Sequence, residues 1–297
     1  MVIVIVVLLI LLATLFAAGW KMAGFSMGIR RQTLEEARKW QEAHYDLSWY
    51  DALQKEDYTV TAEDGYVLHV QRLVNPAPAD RAVIISHGYT DNRFGALKYA
   101  KNYLDLGYDV IVYDLRGHGA NEVTFCTYSG RESRDLAALV RDTRSRYPDY
   151  GVLGLHGESL GAASTVACLR YQPDITFAVA DCAFSDIVPV LEGGLKSMHM
   201  PAFMVRVASV CARLRYGYSY AQMRPIESLK QGHVPILFIH GAEDSFILPA
   251  HSEALYRAAG EGSELKLIPG AGHAESVLKQ PDLYRETLTA FLSRFTG

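Results

Sequence analysis

The residues Leu155-His156-Gly157-Glu158-Ser159-Leu160-Gly161 leave this chain little choice of architecture. They stand between the apolar run Val152–His156 and a small-residue run that begins Ala162-Ala163, so a strand must turn at once into a helix, with a serine at the bend. On so tight a turn the serine backbone is strained and its hydroxyl is lifted above the sheet. Side chains two positions to either side would collide, which is why the elbow carries Gly157 and Gly161. The helix beyond aims its N-terminal amides at any negative charge that develops nearby. As a bare pattern Gly-x-Ser-x-Gly is weak, and its place between strand and helix gives it weight.

Around this point the chain alternates short apolar runs with amphipathic ones. Strands are expected at Ala82–Ser86, Tyr108–Tyr113, Val152–His156, Ile175–Asp181, Pro235–His240 and Leu265–Ile268. Helices are expected at Leu97–Leu106, Glu132–Tyr147, from Ser159 to about Tyr171, Ala250–Ala259 and Glu275–Phe295. Tyr58–Ala62 and Tyr66–Leu73, joined through Asp64-Gly65, read as a β-hairpin. Such alternation predicts an α/β fold, a mostly parallel sheet covered by helices on both faces.

Three further signals fall at strand ends, the edge where open α/β sheets hold their ligands. His87-Gly88-Tyr89-Thr90 follows one strand and can supply the Tyr89 N–H to an oxyanion hole, beside the N–H of Leu160. Gly241-Ala242-Glu243-Asp244 follows another, and Gly270-Ala271-Gly272-His273 a third. A serine nucleophile needs a base to take its proton, and that base needs a carboxylate to fix its tautomer. Ser159, Asp244 and His273 occur in the required order. A lone histidine or aspartate after a strand is structural more often than catalytic; four such signals in order reverse that reading.

Other candidates compete. Glu243 adjoins Asp244 but points the opposite way in a tight turn. Asp181 also ends a strand and is a variant acid for His273. His118, in Asp114-Leu115-Arg116-Gly117-His118-Gly119, is a tempting base, although this loop reads better as a brace for the oxyanion region. Glu158 reads as a helix-start residue.

The extreme N-terminus obeys a different solvent. From Val2 to Trp20 no residue is charged, and nineteen residues at 1.5 Å rise span about 28 Å, close to a bilayer's hydrocarbon core. A cleaved signal peptide has a shorter apolar stretch behind a basic segment, so an uncleaved single-pass anchor is the expectation. Lys21, Arg30, Arg31, Arg38 and Lys39 follow the span, which favours a cytoplasmic catalytic domain. The expected organisation is an anchor over 1–20, a helical juxtamembrane stem over 21–56 with its helix from Arg31 to about Leu53, and one catalytic domain over 57–297.

Composition closes off other classes. An apolar fraction of 49% and a charged fraction of 21% suit a globular core. A net charge of −4 offers no basic field for nucleic acid. Cys126, Cys168, Cys182 and Cys211 form no C-x-x-C pair and lack zinc-finger spacing, so they read as buried apolar residues and no metal site is expected.

At the motifs His87-Gly88-Tyr89-Thr90, Asp114 to Gly119, His156 to Gly161, Ala180 to Phe184, Phe238 to Asp244 and Gly270 to Ala274, the chain resembles the α/β-hydrolase superfamily, from about Glu56 onward. It looks most like bacterial membrane-anchored serine hydrolases related to the S9/S33-like group. The resemblance implies an eight-stranded sheet, Ser159 as nucleophile, Asp244 as acid, His273 as base, oxyanion amides at Tyr89 and Leu160, and no cofactor. It leaves the substrate open, since the superfamily spans esterases, thioesterases, lipases, peptidases and acyltransferases.

The interruption at 184–229 falls where such folds carry a lid. Val188, Val190, Leu191, Leu195, Met198, Met200, Phe203, Met204 and Val205 offer an adaptable apolar surface, and Arg206, Arg213, Arg215 and Arg224 add charge. The lid either covers an acyl pocket or packs on a core of its own. The expected partner is a small ester or acyl substrate, with a prolyl-oligopeptidase-like peptidase as the alternative, Glu158 or Glu192 then serving a substrate amino group. A membrane-tethered binding protein on an inactive scaffold is the third reading. A serine at the nucleophile position disfavours epoxide and haloalkane hydrolysis.

Overall fold

The computed structural model describes residues 1–230 and 234–295. Residues 231–233 and 296–297 of the domain expected over 57–297 lie outside the described residues. One sheet is built from β1 (Lys55–Thr61), β2 (Val67–Leu73), β3 (Arg81–Ser86), β4 (Asp109–Tyr113), β5 (Val152–Glu158), β6 (Phe177–Asp181), β7 (Ile236–Gly241) and β8 (Glu264–Ile268). Its order is β1-β2-β4-β3-β5-β6-β7-β8. The β1–β2 hairpin and the β2–β4 pair are antiparallel, and every other neighbour pair is parallel. This is the α/β-hydrolase sheet that the resemblance implies.

The inner parallel strands β3, β4, β6 and β7 are largely apolar runs because both of their faces are covered, whereas the edge strand β8 carries Glu264 and Lys266 and is only partly buried. Alternate residues then serve opposite layers. Ile84, Ile111, Leu155 and Ala178 join one core, with Leu139 and Ala163 of the helices on that side. Val83, Val110, Val112 and Val179 join the other, with Tyr99, Tyr103, Tyr284 and Phe291.

The helices are α1 (Val2–Met27), α2 (Leu34–His44), α3 (Ser48–Ala52), α4 (Leu97–Asp105), α5 (Glu132–Arg146), α6 (Leu160–Cys168), α7 (Ile187–Ser197), α8 (Met204–Tyr216), α9 (Ala250–Ala258), α10 (Ser276–Lys279) and α11 (Pro281–Leu292). The expected C-terminal helix over Glu275–Phe295 is divided at Pro281, which has no N–H to continue the ladder, and Gln280 leaves helical geometry. The expected stem helix is likewise two: Thr33 and Glu36 form a capping box that starts α2, and the chain straightens at Tyr45 before α3.

The largest departure is at the N-terminus. The apolar helix does not end at Trp20 but continues to Met27, so the first residues of the expected helical stem are continuous with it. One charge at Lys21 does not break a helix, and Gly28, in extended geometry, is the first residue outside it. With 26 residues, α1 is long and apolar enough to cross a membrane. Its first half, Val2–Leu12, is exposed on all sides, whereas Gly19, Ala23 and Met27 form a buried stripe. The stripe packs on α8. A Cβ on Gly19 would lie 2.7 Å from Val207 Cγ1 and 3.1 Å from Cys211 Sγ, so only glycine permits this approach. Beyond α1 the chain is stitched to the domain by a bridge between Gly28 and Phe125 and by the Cys126 N–H donating to the Met27 carbonyl.

Candidate active site

Ser159 sits between β5 and α6 with φ 53° and ψ −112°, a positive-φ conformation that a side chain rarely adopts. Its own N–H donates to the Asp181 carbonyl and its carbonyl accepts from Ala163 N–H, so both flanks of the bend are held. The flanking glycines are needed for space. A Cβ at Gly157 would stand 2.3 Å from the Gly161 backbone, and one at Gly161 would stand 2.2 Å from the Ser86 carbonyl oxygen.

The three sequence-distant candidates meet here. Ser159 Oγ lies 2.9 Å from His273 Nε2, and His273 Nδ1 lies 2.7 Å from Asp244 Oδ2. Asp244 is buried at the end of β7, and its Oδ1 accepts the N–H groups of Phe246 and Ile247, each at 2.9 Å. Burial alone would raise its pKa. The bonds from His240 and His273 outweigh burial and hold it well below the ordinary carboxylate range.

His240 is a residue the sequence reading passed over. It is fully buried at the end of β7; its Nε2–H donates to the Ile247 carbonyl at 2.8 Å and faces Asp244 Oδ2 at 3.2 Å, while Ser252 Oγ bonds its Nδ1 at 2.7 Å. The one signal for it was its place four residues before Asp244 in the quoted Phe238–Asp244 motif.

The competing candidates fall elsewhere. Asp181 is buried, accepts from Tyr99 Oη at 3.2 Å, and makes no bond to His273; burial and neighbouring Glu158 push it up to about 6. Glu243 is exposed, as expected of a residue facing away from Asp244. His118 is buried, and its Nε2–H donates to the Tyr89 carbonyl at 2.6 Å, so it braces the loop after β3. His87 supports the same loop by accepting the Leu115 N–H at 2.9 Å and donating to the Gly88 carbonyl at 2.7 Å. Asp114 accepts the Arg93 guanidinium and the Ala120 N–H. The N–H groups of Tyr89 and Leu160 donate no hydrogen bond among the described residues.

Glu158 is not a helix-start residue but the last of β5. It is buried in an ion pair with Lys98 and accepts from Tyr99 Oη. Burial works against the Lys98 charge, but Glu158 more than offsets it and raises the ammonium's pKa.

Ser159 and His273 open into a cavity of about 950 Å³. The lid contributes Val190, Leu191, Leu195, Met198, Met200 and Val205 to its wall, while Met204 is turned into the core and Val188 and Phe203 are not in the lining. None of the four lid arginines lines it: Arg215 stacks over Trp20, and Arg224 pairs with Asp186. Asp91 and Glu158 are among the polar members of the wall. Phe184, Phe246 and, from α1, Ala18, Lys21, Met22, Phe25 and Ser26 are also part of it. No local sequence signal assigned these residues to the site, because only the tertiary fold brings them there. Among the described residues no cluster of side chains suits a metal ion.

Comparison with known proteins places the chain in a family. A model described as "Serine aminopeptidase, S33" matches residues 77–229. The chain is 28% identical over 288 residues to the uncharacterized protein YqkD of Bacillus subtilis, covering 95% of this chain and 94% of that one. It is 27% identical over 274 residues to human alpha/beta hydrolase domain-containing protein 17C, covering 88% and 71%. Among solved structures, the Pyrococcus furiosus esterase Pf2001 superposes with a TM-score of 0.70 at 22% identity, over 85% of this chain and 95% of that one.

Proposed function

The chain belongs to the serine aminopeptidase S33 family of α/β-hydrolases, and from that premise we propose that it is a membrane-anchored serine esterase. It cleaves carboxylic esters or thioesters with apolar acyl groups, through an acyl-enzyme on Ser159. The observation that carries this reading is the unbroken chain Ser159 Oγ, His273 and Asp244, at 2.9 and 2.7 Å, opening into a cavity walled mostly by apolar side chains.

His273 Nε2 takes the Ser159 proton as Oγ attacks the carbonyl carbon. The tetrahedral oxyanion is held by the N–H groups of Leu160 and Tyr89, which no other described group occupies. His273 then protonates the leaving alcohol or thiol, and water releases the acyl group by the reverse steps. Asp244 stays ionised throughout, fixing the His273 tautomer.

The family description also names aminopeptidases, which would use the same triad. Such an enzyme needs a free acid for the substrate amino group, and here the acids near Ser159 are committed. Glu158 is paired with Lys98, Asp91 is half-buried with its Oδ1 accepting the Asn92 N–H, and Glu192 does not line the cavity. An inactive binding scaffold has no use for a serine held at hydrogen-bond distance from an oriented histidine. The apolar helix α1 supports anchoring in a membrane, and the cations that follow it support a domain on the cytoplasmic side.

The test is to treat the full-length, detergent-solubilised protein with a fluorophosphonate and map the adduct. Labelling of Ser159 that vanishes in Ser159→Ala, followed by faster turnover of p-nitrophenyl esters than of amino-acyl p-nitroanilides, is the expected outcome. Faster anilide cleavage would replace esterase by peptidase, and an unlabelled folded protein would remove the enzyme reading.

A further inference from the structure

We infer that α1 is a wall of the acyl-binding site as well as an anchor, and that the site takes long acyl chains presented by the bilayer in which α1 stands. The inference rests on the esterase reading above and deepens it by naming the substrate class.

Ala18, Met22, Phe25 and Ser26 line the same cavity as Ser159 and His273, together with Leu191 and Leu195 of α7. From Ala18 to Ser26 at 1.5 Å per residue, one side of α1 contributes roughly 12 Å of wall. Ala18 also lies inside the uncharged run Val2–Trp20, the part of the helix that matches the hydrocarbon core. The cavity therefore begins at the depth of lipid and ends at the nucleophile, with apolar surface between.

The wall is fixed in place. The adjoining side of α1 is clamped to α8 through Gly19. Its C-terminal end is bonded to residues of the cavity wall: Tyr89 Oη donates to the Gly28 carbonyl at 2.5 Å, Tyr128 Oη donates to the Ser26 carbonyl, and Ser26 Oγ meets Tyr220 Oη. Tyr89 is the residue whose backbone N–H is assigned to the oxyanion, so the end of the anchor and the reacting centre meet at one residue, through its phenol and its amide.

The mouth has the character of a membrane surface. Phe25, Met198 and Phe246 border the cavity yet are 67%, 56% and 58% exposed, an unfavourable display in water and a suitable one in an interfacial layer. Lys21 and Arg30 stand on the α1 side of the lining and make no ion pair among the described residues, at the level where lipid phosphates lie. An enzyme for short soluble esters needs none of these features.

The test uses full-length protein in phosphatidylcholine vesicles and compares hydrolysis of membrane-dissolved 4-methylumbelliferyl palmitate with that of soluble 4-methylumbelliferyl butyrate. Met22→Trp and, separately, Ala18→Trp fill the α1 side of the cavity. Each should lower the palmitate-to-butyrate ratio by about tenfold or more, the scale on which apolar pockets discriminate chain size. Leu8→Trp, on the exposed half of the same helix, should keep the wild-type ratio. A ratio preserved in both cavity variants overturns the inference, and so does a wild-type enzyme that turns over butyrate but not palmitate. Hydrolysis of neither ester, with Ser159 unreactive to a small fluorophosphonate, instead overturns the esterase reading on which the inference rests.

Discussion

The Nε2–H of His240 faces Oδ2 of Asp244 from 3.2 Å, the same oxygen that takes the Nδ1–H of His273 at 2.7 Å. The proposed acid is thus held by two imidazoles, one facing the cavity and one buried behind it. Ser252 fixes the buried ring by bonding its Nδ1, which leaves the Nε2 proton for Ile247 and Asp244.

His240→Phe should therefore lower kcat while leaving KM nearly unchanged, because His240 orients Asp244 and does not line the cavity. A hydrogen bond to a charged group is worth about 1.5–3 kcal/mol, which corresponds to roughly 10- to 100-fold in rate. His240→Gln, which restores a donor, should recover most of the loss. Steady-state kinetics on a p-nitrophenyl ester checks this, and an unaltered kcat in His240→Phe would reduce the residue to core packing.

The buried pair of Lys98 and Glu158 makes a second prediction, on stability. Their side chains are 6% and 8% exposed, so Lys98→Met strands a carboxylate with no counter-charge. The expected cost is about 3–5 kcal/mol, and Lys98→Met combined with Glu158→Gln should regain much of it. Urea midpoints of the solubilised proteins measure both. A single variant as stable as the parent would mean that Glu158 is neutral or solvated.

Asp181 gives a pH signature of known sign. Its folded-state value is raised from 3.8 to about 6, so the folded form favours the protonated acid. Its destabilising effect is absent below about pH 4, grows between pH 4 and 6, and is complete above that window. Asp181→Asn should accordingly leave stability unchanged at pH 4 and raise it near pH 8, by up to about 3 kcal/mol for a shift of this size. A gain of equal size at both pH values would show that ionisation of Asp181 is not its source.

At the elbow, Gly161→Ala places a methyl group 2.2 Å from the Ser86 carbonyl oxygen and 2.6 Å from that of His87, both backbone atoms that cannot swing aside. Destabilisation of at least about 3 kcal/mol follows from forcing such a contact. Thermal unfolding should expose it, and a variant within about 1 kcal/mol of the parent would mean that β3 and α6 can separate.

The sheet was legible in the sequence because its inner parallel strands are short, largely apolar runs, the pattern that burial on both faces requires. The candidates Ser159, Asp244 and His273 were legible because each follows such a run directly. His240 was not, since a histidine ending a buried strand carries no local mark of what it touches. Glu158 was misread for a related reason: its partner Lys98 looks like a surface lysine on an amphipathic helix. The extent of α1 was hidden too. The stripe Gly19, Ala23 and Met27 is indistinguishable, in sequence, from the rest of an apolar helix, and Gly19 acquires meaning only against Val207 and Cys211.

That last contact has a mechanical consequence. Because α8 is seated on α1, the proposed anchor, this half of the lid cannot lift as a free flap; it moves only as α1 moves. An apolar helix in a bilayer of the wrong thickness adjusts chiefly by leaning. With the proposed anchor in place, leaning would shift α8 and the cavity wall together. The thickness of the host membrane then becomes a regulator of how wide the entrance stands, and lipid tail length a variable to which turnover responds.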